Sequence, residues 1–259
     1  MDFSLLFEVI HSHWLTIILF FIIAVLYSSV GFGGGSSYIA ILAIMGIAYI
    51  QMRSTALLCN IIVVSGNVIL YHRRKLIQWK KILPLVLFSI PLAFLGGKLR
   101  IGQTFFFILL GFTLLFAAIT MWVSKKIIAN KDGGSSKNIF QNSFYGGIIG
   151  FLSGIVGIGG GIFLAPTLHL TNWSSPKKIA ATASLFILVN SISGLVGQYS
   201  NDDFTIDWYF TSILLVTVFI GGQVGSRMSN RYFTAIQLKR ATAILIAFVA
   251  LRVLWTYLL

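Results

Sequence analysis

Residues 30–35 read Val30-Gly31-Phe32-Gly33-Gly34-Gly35, and residues 156–161 read Val156-Gly157-Ile158-Gly159-Gly160-Gly161. Each cluster interrupts an apolar run too long for one membrane helix. Trp14 to Met52 and Asn138 to Pro176 are each 39 residues without Asp, Glu, Lys or Arg, whereas a single crossing needs about 20 apolar residues. Glycine costs a helix interior about 1 kcal/mol relative to alanine, so three in succession predict a break. Both runs are read as glycine-broken helices, with a helical hairpin as one form of the break.

The other charge-free gaps fit single crossings: 54–72, 101–124, 179–201 and 208–226, a short one at 82–97, and 241–259, which contains Arg252. Composition agrees, since 57% of residues are hydrophobic and 10% charged, against roughly 25% charged in a soluble domain. So few charges cannot cover an aqueous surface, and the chain is read as an all-α, polytopic integral membrane protein whose solvent is the lipid bilayer.

The net charge of +13 does not point to nucleic acid. Five basic residues fall between Arg73 and Lys81, four between Lys125 and Lys137, and four between Arg227 and Arg240. Short basic clusters between apolar runs mark cytoplasmic loops, whereas phosphate binding needs a continuous basic surface. Cys59 is the only cysteine, which excludes an intramolecular disulfide framework and a multi-cysteine metal site; no metal or cofactor is expected. Met1 to His13 contain no Lys or Arg, so the first apolar run is expected to be retained rather than cleaved as a signal peptide.

Aligning the glycine clusters superposes Leu26–Ala40 on Leu152–Pro166. The match continues: Thr55-Ala56 answers Thr182-Ala183, Ser65-Gly66 answers Ser193-Gly194, and Gly96-Gly97 answers Gly221-Gly222. The chain thus divides into a first membrane repeat at 1–124, a cytoplasmic linker at 125–142 and a second repeat at 143–259. Placing the loops at 73–81, 125–137, 177–178 and 227–240 in the cytoplasm puts 15 of the 19 Lys and Arg residues there. The N-terminus and the loop with Asp202, Asp203 and Asp207 are then outside, and corresponding segments run in opposite directions. This predicts two inverted repeats of about four helical elements each, the arrangement that places a transporter site near the midplane.

At the glycine clusters the sequence resembles the TauE/SafE, or sulfite exporter, family of membrane permeases. The carrying residues are Ser153-Gly154-Ile155-Val156-Gly157-Ile158-Gly159-Gly160-Gly161, then Pro166 and Ala181-Thr182-Ala183-Ser184-Leu185. The first half repeats them in weaker form, with Ser28 for Gly154 and Ala40 for Pro166. The resemblance implies transport of a small sulfur-containing or carboxylate anion across the bacterial cytoplasmic membrane, by a multi-pass protein. It does not fix the cargo.

A helix that restarts inside the membrane presents free backbone N–H groups with a partial positive charge, which suits an anion. The substrate-binding candidates are therefore Gly33, Gly34, Gly35 and Ser36 with Gly159, Gly160 and Gly161, and the polar residues Asn60, Thr182, Ser184 and Asn190 on the following helices. The bland reading of the glycines is close helix packing, since Gly146, Gly150 and Gly154 are also spaced small-xxx-small. Arg53 and Arg252 are candidates for the anion pathway, although Arg252 could equally extend to the interface.

All six carboxylates fall in predicted loops or at the N-terminus, leaving no buried acid for a proton relay. Ser153 with His169 has the elements of an intramembrane serine protease, but the spacing does not fit that signature, and no catalytic residue is assigned. A passive anion channel would share the glycines and polar lining. A homo-oligomer is left open.

Overall fold

The computed structural model describes residues 3–123, 139–171, 173–228 and 235–258, and all regular structure in them is helical. The helices are α1 (Phe3–Ser12), α2 (Trp14–Ser29), α3 (Gly35–Ile44), α4 (Tyr49–Arg73), α5 (Trp79–Lys98), α6 (Gln103–Val123), α7 (Ile139–Val156), α8 (Gly161–Leu170), α9 (Pro176–Tyr199), α10 (Trp208–Met228) and α11 (Ala235–Leu258). Helices satisfy their own backbone hydrogen bonds, the condition for lying in hydrocarbon. Among the described residues α4, α5, α6, α9 and α10 are long and apolar enough to cross a membrane. Phe88, Phe112, Phe116, Phe219 and Phe248 project outward from the bundle, each more than half exposed, as a lipid-facing surface requires. Most of the predicted linker lies outside the described residues, and α7 begins at Ile139, within the span assigned to it.

Both long apolar runs do break at their glycines, into α2–α3 and α7–α8. In the first, the rings of Phe20 and Tyr38 stack with centroids 4.6 Å apart, although 18 residues of continuous helix would separate them by about 27 Å. Tyr27 Oη also lies 2.8 Å from Ser37 Oγ. α3 therefore folds back along α2, and the run is a helical hairpin. Gly34 and Gly160 occupy the N-cap positions of α3 and α8 with φ of +94° and +78°. This is the left-handed region that a residue with a Cβ enters only at a cost. A methyl group on Gly34 would lie 2.9 Å from Ile23 Cγ2, and one on Gly160 3.1 Å from Ile149 Cγ2. The two hairpins repeat the same local contact.

Packing follows the duplication. α4 lies against α9, and α6 against α11. α5 packs on α7 and α9, as α10 packs on α2 and α4; α11 reaches α3, as α6 reaches α8. Exchanging the halves, α2–α6 for α7–α11, leaves these pairings unchanged. With each hairpin counted as one element, each half has four. Arg53 and Gln198 line one cavity, while Leu57 lies against Gly194, so α4 and α9 run antiparallel.

Glycine makes the tightest seam. Methyl groups on Gly146, Gly150 and Gly154 of α7 would collide with the carbonyl oxygens of Leu85, Ser89 and Ala93 on α5. These residues are four apart on both helices, so two ridges of small residues meet backbone to backbone. The packing reading is correct for these three glycines.

Two helix starts differ clearly from the charge-based expectation: α11 begins at Ala235 rather than 241, and α4 begins inside the first long gap. The predicted span 54–72 begins at residue 54 because Arg53 was treated as an end marker, yet α4 starts at Tyr49 and Arg53 is 5% exposed inside the helix. Its guanidinium Nη2 lies against backbone carbonyls of α5 and α7.

Candidate functional site

The two breaks touch. A methyl group on Gly35 would lie 2.6 Å from the carbonyl oxygen of Ile158, and one on Gly161 would lie 3.8 Å from the Phe32 ring. Each helix start thus faces the loop of the other hairpin. Between them is a cleft with about 500 Å³ of free space, including its mouth, lined by Tyr27, Phe32, Gly33–Ser36, Asn60, Ile158, Gly161, Ile162, Ala165, Pro166 and Ile187.

No side chain caps α3 or α8. In α3 the amides of Ser37 and Tyr38 donate to Gly34 O, and in α8 those of Phe163 and Leu164 donate to Gly160 O. The first two amides of each helix, on Gly35 and Ser36 and on Gly161 and Ile162, have no such helical acceptor. All four residues line the cleft. Two helix N-termini therefore bring backbone donors and the positive ends of two peptide-dipole arrays to one space.

Each half also ties down the break of the other. Asn60 on α4 donates from Nδ2 to Ile158 O at 2.8 Å. Ser184 on α9 donates from Oγ to Gly31 O. Asn60 is fully buried and its Oδ1 has no hydrogen-bond partner, which leaves an acceptor at the cleft wall beside the amide donors.

Of the residues singled out in the sequence, Gly33, Gly34, Gly35, Ser36, Asn60 and Gly161 line the cleft. Gly159 sits behind it, where a methyl group would meet Asn60 Nδ2, Ser191 Oγ and Ile187 within 2.9 Å, and Gly160 supports the turn. Ser184 closes the opposite break. Thr182 is buried with its Oγ1 unpartnered and does not line the cleft. Asn190 turns to its own helix, donating from Nδ2 to Phe186 O at 2.8 Å; Ile187 takes the place against Gly161 that Asn60 takes against Gly35. Tyr27, Phe32, Ile158 and Ile187 escaped sequence reading because apolar lining and apolar core have the same composition.

Arg53 packs against the second hairpin, with its Cα 2.9 Å from where a methyl group on Gly157 would lie. Its Nη2 is within 3.2 to 3.5 Å of the carbonyl oxygens of Gly154, Gly97 and Gly96, at the end of the α5–α7 seam. Arg252 lies on the exposed face of α11, away from the cleft.

Antiparallel central helices, paired glycine-broken hairpins and a cleft at their contact fit the arrangement of membrane transporters. The sequence model of the sulfite exporter TauE/SafE family matches residues 16–253, and the chain belongs to that family. It is 30% identical over 243 residues to a probable membrane transporter of Sinorhizobium fredii, covering 92% of this chain and 96% of the relative. A probable membrane transporter of Methanocaldococcus jannaschii is 28% identical over 70% of both chains. A sulfite exporter TauE/SafE family protein of Arabidopsis thaliana is 25% identical over 44% of this chain and 25% of its own length. No solved structure matches.

Proposed function

We propose that this transporter is a carrier for a small oxyanion, sulfite or a short organosulfonate, and that it binds its cargo in the cleft between the two hairpins, near the midplane of the cytoplasmic membrane. The observation that carries the reading is the convergence of Gly35, Ser36, Gly161 and Ile162, the uncapped starts of two helices, on one cleft. Anion oxygens accept from backbone amides without a buried counter-charge. The unpartnered Asn60 Oδ1 adds a preference for an anion that also has a donor, such as the O–H of hydrogensulfite. The sulfite exporter family and the name of the Arabidopsis relative favour sulfite among the oxyanions.

The antiparallel run of α4 and α9 supports inverted repeats. Lys81 lies 5.4 Å from the Trp173 ring, which precedes Lys177 by four residues in sequence, while Asp202 and Asp203 gather with Arg100. This supports a basic cytoplasmic end and an acidic external one. No chemical step is assigned, and the protein is read as a non-enzyme.

The test is purified protein in liposomes, screened with sulfite, sulfate, thiosulfate, sulfoacetate and short carboxylates. Saturable, counterflow-competent uptake of sulfite or a sulfonate is expected. Uptake confined to a neutral solute would remove the cargo assignment, and single-channel currents would replace the carrier by a channel.

A further inference from the structure

A second cavity opens at the N-terminal end of α4, lined by Tyr49, Ile50, Arg53, Leu99, Arg100, Ile101, Gln198, Asn201, Asp203 and Phe204. Arg53 and Gln198 are each 5% exposed, and Arg53 Nε and Gln198 Nε2 both lack a hydrogen-bond partner. At the rim Arg100 pairs with Asp202 at 2.8 Å and Asp203 at 3.6 Å, which engages the acidic groups at the exposed edge. No carboxylate among the described residues pairs with Arg53. Its Nη2 meets only carbonyl oxygens, so the positive charge is hydrogen-bonded but not neutralised. A buried cation without a counter-ion is costly unless something supplies the missing charge and acceptors.

We propose that this cavity is an outer anion subsite, in which Arg53 Nε and Gln198 Nε2 donate to a tetrahedral or pyramidal oxyanion. It deepens the carrier reading and rests on it for its role: Arg53 packs against Gly157 of the second break, so the subsite lies beside the hairpin that forms one wall of the central cleft. Arg53 and Gln198 stand on α4 and α9, the two antiparallel helices that also hold the breaks. An oxyanion bound here is queued outside the cleft, concentrated by a fixed charge.

The test uses the full-length protein in lipid nanodiscs, with Leu99→Cys as reporter in a Cys59→Ala background and inorganic sulfate as the probe. The anionic sulfonatoethyl methanethiosulfonate should modify the reporter about tenfold faster than the cationic trimethylammonioethyl reagent, after normalising to a free thiol, and millimolar sulfate should slow it. Gln198→Leu should keep the charge preference and weaken the sulfate protection. Arg53→Gln should remove both, and Gln198→Leu keeps the test decisive if that variant fails to fold. A normalised rate ratio near one, or sulfate protection unchanged in Gln198→Leu, would overturn the proposal. Saturable anion transport with a flat ratio would remove this subsite and leave the central cleft. A charge-selective cavity in a protein that moves no anion would remove the carrier reading and leave the subsite.

Discussion

Asn60 on α4 holds Ile158 of the opposite hairpin through a 2.8 Å hydrogen bond from Nδ2 to the backbone carbonyl. Removing the amide leaves a buried carbonyl unpaired, a loss of about 1–3 kcal/mol. Asn60→Ala should therefore lower the melting temperature of the detergent-solubilised protein and reduce sulfite uptake. Asn60→Ala with unchanged melting and unchanged uptake would mean that the bond holds nothing together.

Substitution at the breaks separates space from strain. Gly34 and Gly160 need positive φ, so Leu at either position strains the turn by about 1–3 kcal/mol, and Gly34 also lines the cleft. Gly35 and Gly161 are cleaner probes. A methyl group at Gly35 meets the Ile158 backbone, whereas one at Gly161 meets the movable end of the Ile187 side chain. Gly35→Ala should abolish uptake, and Gly161→Ala should be impaired and then rescued by Ile187→Ala. Equal, normal rates in both single variants would place the site elsewhere.

The α5–α7 seam should respond to size by losing folded protein rather than by changed kinetics. Gly150→Leu forces a side chain into the Ser89 backbone, an overpacking cost of about 1–3 kcal/mol or more. Its monodisperse peak in size-exclusion chromatography should collapse. Gly102, with open space around it, supplies the control, and Gly102→Ala should stay within about 0.5 kcal/mol of the parent.

Sidedness is open to direct labelling in intact cells. In a Cys59→Ala background, Asn201→Cys should react with a membrane-impermeant thiol reagent from outside, and Lys75→Cys only after permeabilisation. The reverse pattern would invert the topology drawn from the basic loops.

The breaks were legible because glycine states its backbone cost openly, and duplication repeats the statement. The crossing helices were legible from the gaps between charges, which misplaced the starts of α4 and α11. A gap rule assumes that a charge marks water, but Arg53 finds its acceptors in carbonyls at the glycine seam, a tertiary feature that no local pattern announces. Asn190, a candidate beside Asn60, does not line the cleft. The 127-residue offset that joins Thr55 to Thr182 carries Asn60 to Ile187, three residues short of Asn190, so Ile187 rather than Asn190 meets the second break.

The exchange of α5 and α10 between the halves bears on how the protein is made. α5 leaves the ribosome well before α7 and α9, the helices on which it packs. Until they follow, the backbone surface at Ser89 and Ala93 lacks the glycines of α7 that it packs against. Insertion of the first half and completion of its packing are therefore separate events in time, and a nascent chain stalled before residue 139 holds α5 and α6 without the helices they pack on.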